Sequence, residues 1–174
     1  FAKRKAERLT EELNDAVKGN APLAVLKEML AGGADASVNN AAAVYNAAVK
    51  NNVEVVGLLI GAVKDQDALH DILRVSIQLL NPALFDLVAP RIENMQKDDA
   101  ALLMAVECNN QYAVAAIAKS YPALKDNLTP VTLATWAAET DNNRIFGRVS
   151  RDNKLGNLSA VFLAVAEKSG AKRI

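Results

Sequence analysis

The sequence predicts an all-α fold: a helical-repeat solenoid of stacked helix-turn-helix units, with residues 1–174 forming one domain. Three observations predict it. An asparagine recurs about every thirty residues, an apolar stripe of helical period follows each one, and a second helical pattern rich in small side chains precedes each one. No segment alternates apolar and polar side chains as a half-buried strand would.

The asparagines are Asn52, Asn81, Asn110 and Asn142, spaced 29, 29 and 32 residues apart. Apolar residues return 3, 4 and 7 positions after each: Val55, Val56 and Leu59; Leu84, Phe85 and Val88; Ala113, Val114 and Ile117; Ile145, Phe146 and Val149. These offsets put the side chains on one helix face. Eight positions before each asparagine stand Val44, Leu73, Leu102 and Ala134. At five and four before stand Ala47–Ala48, Ser76–Ile77, Ala105–Val106 and Ala137–Ala138, where small side chains let a neighbouring helix come close. Asparagine suits the intervening turn because it tolerates the left-handed conformation and its side chain caps a helix start. At the start of the chain Pro22 takes the asparagine's place, with Val25, Leu26 and Met29 following it. At the finish Gly170 takes it, with Phe162 and Val165–Ala166 before it.

The pattern maps first helices near residues 5–18, 41–50, 67–79, 98–108, 130–140 and 157–168, and second helices near 22–31, 53–63, 82–92, 111–120 and 142–150. The repeats are then 5–35, 36–64, 65–93, 94–123 and 124–152, with a partial one at 153–174. Polar connections lie at 32–39, 65–67, 93–97, 124–129 and 151–157, and Pro82, Pro122 and Pro130 stand where helices start or stop. One hairpin cannot bury its apolar face alone, and neighbouring hairpins supply the rest of the core.

Composition narrows the function. Hydrophobic residues make up 51% of the chain, which argues against disorder. Lys+Arg and Asp+Glu balance at 20 each, so no global field attracts a phosphate backbone and nucleic-acid binding is disfavoured. The basic ends, Lys3, Arg4, Lys5 and Arg8, then Lys168, Lys172 and Arg173, read as solvated helix ends. The single cysteine, Cys108, forbids an internal disulfide and fits a reducing compartment. No apolar run reaches the roughly 18 residues a membrane span needs. A chain beginning at Phe1 rather than Met reads as a fragment or a processed product.

The motifs resemble ankyrin repeats. Residues 25–35, VLKEMLAGGAD, are similar to the second helix and Gly-Ala-Asp turn of that family, and residues 51–60, NNVEVVGLLI, to its Gly-His-Leu-Glu-Val-Val helix start. Residues 100–110 and 42–52 match the first helix in pattern, and the resemblance covers residues 12–168. The Thr-Pro-Leu-His tetrapeptide of the family is intact in no repeat, and several repeats hold 29 residues rather than about 33. The resemblance implies a protein-interaction module whose first helices face the partner on the concave surface. The family's partner-facing position, six before each asparagine, is held here by Asn46, Val75, Met104, Trp136 and Ala164, with Tyr45 bordering it.

Other candidates are weaker. His70 with Asp67 and Asp71 lacks the three or four ligands of a metal site and reads as a surface histidine. Cys108 reads as a half-buried structural thiol. Asp98–Asp99 complements a helix dipole. Glu107, Glu139 and Glu167 share one repeat position, so stacking would line them up about 10 Å apart, as an acidic stripe for a basic partner or as an ordinary solvated face. Trp136 is either a hot spot on the inner surface, whose loss would weaken partner binding by about 2 kcal/mol, or core packing between repeats. The expected function is thus binding of another protein or peptide in the cytoplasm, with no catalysis, metal or small-molecule cofactor. Two alternatives are the targeting domain of a larger enzyme or of an effector secreted into a host cell, and a helical-repeat nucleic-acid binder. The oligomeric state is not readable.

Overall fold

The structure, a computed structural model, describes residues 2–153. Among these residues it is all-helical, without strands. The helices are α1 (Ala2–Lys18), α2 (Leu23–Ala31), α3 (Val38–Val49), α4 (Val53–Leu59), α5 (Gln66–Gln78), α6 (Pro82–Val88), α7 (Asp99–Glu107), α8 (Gln111–Ala118), α9 (Pro130–Glu139) and α10 (Asn143–Asp152). Single 3-10 turns extend α4 to Ala62 and α6 to Arg91. The expected helix at 157–168 lies outside the described residues, as do Ala164, Glu167 and the repeat position at Gly170.

The turn between a first and a second helix is built the same way five times. A residue in the left-handed region ends the first helix: Asn20, Asn51, Leu80, Asn109 and Asp141, with φ between 54° and 57°. Its amide donates to the carbonyl three residues back, and the next amide donates to the carbonyl five residues back, at 2.8–3.4 Å. This is the Schellman arrangement, which satisfies carbonyls that a helix end leaves without partners. In four of the turns the next residue is the recurring asparagine. Asn52, Asn81, Asn110 and Asn142 each cap the second helix by accepting from the backbone amide three residues on, at 3.1–3.3 Å. The left-handed residue is therefore the one before the repeating asparagine, and the asparagine itself serves as cap. In the first turn Ala21 is an extra residue, and Pro22 occupies the cap position with no side chain able to accept. Val25 is exposed, while Leu26 and Met29 are buried.

Two expected outcomes follow from these turns. Asn110 is buried at its cap, and Asn110→Ala should cost about 1–2 kcal/mol of unfolding free energy, read from urea titration. Leu80 is a non-glycine residue without a short polar side chain, held at φ 54° and 56% exposed. Leu80→Asn supplies a short polar side chain that offsets the cost of the left-handed conformation by local hydrogen bonding, and should raise stability by about 1 kcal/mol, seen as a higher Tm.

The chain divides into two compact units, residues 1–93 and 94–174, where the repeat pattern suggests one continuous domain. The division falls in the polar connection after residue 93, at Asn94, whose φ is 53°. In the first unit α1, α3 and α5 lie side by side, each with its second helix against it, and α4 packs on α6. The α3 segment opens with a left-handed turn at Asn39, Asn40 and Ala41, so its regular right-handed part begins where the period-3.6 pattern begins. In the second unit α8 pairs with α7, α10 pairs with α9, and α10 also packs on α7. The apolar positions of the repeat pattern are buried throughout the described residues, apart from the half-buried Phe146 and the exposed Val25. Burial of these stripes is what holds helices this short, since helices below about 12–15 residues are marginal alone.

Candidate interaction surface

The first unit presents its first helices outward along one stripe each. On α3 the stripe carries Tyr45 and Val49, 40% and 49% exposed. On α1 the equivalent residues are Glu7, Glu11, Asn14 and Lys18, and on α5 they are Asp67, Asp71, Arg74 and Gln78. Arg74 pairs with Asp71 at 3.1 Å and Lys18 with Asp15 at 3.9 Å, each within one helix. Leu79 and Leu80 continue the exposed surface at the end of α5. At the opposite end Asp35 precedes α3 and Asp65 caps α5, whereas α1 opens on the basic Lys3, Arg4 and Lys5. The Ser37 hydroxyl, and then its amide, donate to Asp35, which holds that carboxyl below the ordinary carboxylate range.

The residues expected to face a partner divide sharply. Tyr45 is exposed. Asn46 is half-buried, and its Nδ2 donates to Asn14 Oδ1 and to the Ala42 carbonyl, both at 2.8 Å, so its polar group serves the α1–α3 contact. Val75 is buried and Met104 half-buried. Trp136 is 8% exposed, which places it in the core and removes it from any groove. Its ring meets Tyr121 edge-on, with centroids 5.0 Å apart at 70°. Glu139 is exposed. Glu107 is exposed too, but accepts from Arg144 Nη2 at 2.8 Å, so an arginine of α10 offsets its charge and an unbroken acidic stripe does not form there.

Tyr121 was not singled out by the sequence. It sits after α8, beside Pro122 in a polar stretch, and an aromatic followed by Leu124 in such a connection is the signal that marks it. Its phenol donates to Asp99 Oδ1 at 2.9 Å. Burial, then the hydrogen bond to Asp99, then the charges of Asp99 and Asp98 push the phenol well above its ordinary value. A phenol raised in the folded state stabilises the fold fully below its unfolded pKa, about 10, and loses that contribution as pH climbs above it. Stability should therefore fall above about pH 10, and Tyr121→Phe should flatten that fall in urea titrations run from pH 8 to 11.

The second unit also holds a cavity of about 720 Å³, with Val114, Leu133 and Val149 as its apolar lining and Thr129, Arg148 and Asp152 at polar positions. Arg148 and Asp152 pair with each other. His70 is half-buried on α5, and Cys108 is half-buried at the C-terminal cap of α7. Among the described residues no three His, Cys, Asp or Glu side chains converge to hold a metal ion, and no helix is long and apolar enough to cross a membrane.

No known protein family, curated protein or solved structure matches the chain.

Proposed function

We propose that this chain is a helical-repeat protein-interaction module of the ankyrin-like kind, binding a protein or peptide on the exposed faces of its first helices. The observation that carries this reading is the five-fold recurrence of one left-handed helix end, followed in four turns by an asparagine cap, with the apolar positions on either side buried except Val25 and Phe146. A recurrent hairpin is the structural unit of helical solenoids, and such arrays present preformed extended surfaces that lose little entropy on binding. The first helices of residues 1–93, lying side by side, offer a surface of that kind. The partner's place moves, however, from Trp136 and Val75, which are buried, to exposed positions such as Tyr45.

The test is a photo-crosslinking residue placed at position 45 and, separately, at Tyr112, which is also exposed. A discrete protein adduct formed from position 45 and competed by unmodified chain supports the module. Absence of any competed adduct, together with salt-sensitive retention on nucleic acid, turns the reading to a nucleic-acid binder.

A further inference from the structure

We infer that the apolar strip of Tyr45, Val49, Leu79 and Leu80, with the carboxylates at the opposite ends of α3 and α5, docks a protein segment carrying apolar anchors at one end and Lys or Arg at the other. The inference rests on the interaction-module reading and names the class of partner.

Three observations converge on it. First, α3 and α5 pack together and run parallel, because Asn81 at the end of one hairpin turn donates to Asn51 at the end of the other at 2.6 Å. Val49, Leu79 and Leu80 therefore lie on adjoining helix ends, with Tyr45 one turn further along α3. All four are 40–56% exposed. Second, Leu80 is costly where it stands. The other four turns place Asn or Asp at the left-handed position, which those side chains tolerate, and this one places an exposed leucine there. Its amide closes the turn as any residue's would, but its side chain stays more than half exposed. Strain held at the surface points to a role outside the fold. Third, carboxylates stand at the starts of the same two helices. Asp35 precedes α3 and Asp65 and Asp67 open α5, three carboxylates against the single Lys64 beside them, and residues 1–93 hold 12 acidic against 10 basic side chains. A segment with its apolar part over Leu80 and Tyr45 meets these carboxylates with its other end. Basic groups there gain attraction and acidic ones are repelled. The α5 helix is about 20 Å long at 1.5 Å per residue, which six or seven extended residues of a partner span.

The experiment is selection of a displayed library of random 16-residue peptides on the immobilised full chain, followed by affinity measurement with a synthetic peptide of the recovered consensus. The expected consensus holds an aliphatic or aromatic cluster and, apart from it, a Lys/Arg cluster. Its affinity should fall with added salt, and should fall at least tenfold for the double variant Tyr45→Ala, Leu80→Asn. The Leu80→Asn half of that variant is expected to stabilise the chain, and a Tm measured on the same sample separates lost binding from lost folding. A consensus without basic residues, or affinity indifferent to the double variant in a folded chain, overturns this inference and leaves the interaction module standing. Recovery of no binding peptide overturns both.

Discussion

Replacing Trp136 by alanine is expected to lower the unfolding free energy by about 3–5 kcal/mol, the usual cost of truncating a buried large aromatic. The ring is nearly inaccessible to water and its edge contact holds Tyr121, which in turn reaches Asp99 near the start of α7. Alanine leaves a void under Tyr121 and strips the packing that positions its phenol. The variant should unfold at a distinctly lower urea concentration, and Trp136→Phe should lose much less because it keeps an aromatic edge in place. The chain has a single tryptophan, so the wild-type midpoint can be followed by its emission, moving to the red as water reaches the indole. A Trp136→Ala chain with an unchanged midpoint by circular dichroism would show that the ring bears on no core.

Ala47→Leu is the second large effect. Ala47 is 1% exposed on α3, which has α1 on one side and α5 on the other. Its carbonyl also accepts from the amide of Asn52 in the Schellman turn. A leucine there adds volume where neither neighbouring helix can retreat without disturbing that turn, and the cost should be about 1–3 kcal/mol. Ala24→Leu on α2 is the control. Ala24 is exposed on a helix, so the same change in volume should shift stability by no more than about 0.5 kcal/mol. Equal effects at the two positions would mean that the small side chains of the repeat pattern are not there for close packing.

Much of the local structure was legible because it is written in short-range chemistry. Asn52, Asn81, Asn110 and Asn142 cap their helices through bonds only three residues long, and the apolar stripes lie within two turns of them. The helix limits follow from those signals. Leu80 escaped because a leucine carries no mark of a left-handed conformation. Its φ is imposed by the two hydrogen bonds that close the turn. Position 25 departs for a reason periodicity does not carry: counted from its cap, Val25 matches the buried Val55 and Leu84, yet it is exposed, because the pattern fixes a helix face and not what covers each residue on it. The sequence leaves Trp136 open between groove and core for the same reason. Periodicity places a side chain on a helix face but does not say what covers that face, and here the cover comes from Tyr121, fifteen residues upstream in a connection. Likewise the Arg144–Glu107 pair joins residues 37 apart, through the packing of α10 on α7 that no repeat pattern contains.

The amide-to-amide bond from Asn81 to Asn51 has a dynamic consequence. Each of these residues already fastens its own corner of the chain, one ending α3 and the other starting α6. Loosening either corner breaks a bond belonging to the other. Deuterium should therefore enter the backbone at residues 51–56 and 80–85 at matched rates, as one opening event, and Asn51→Ala should uncouple them.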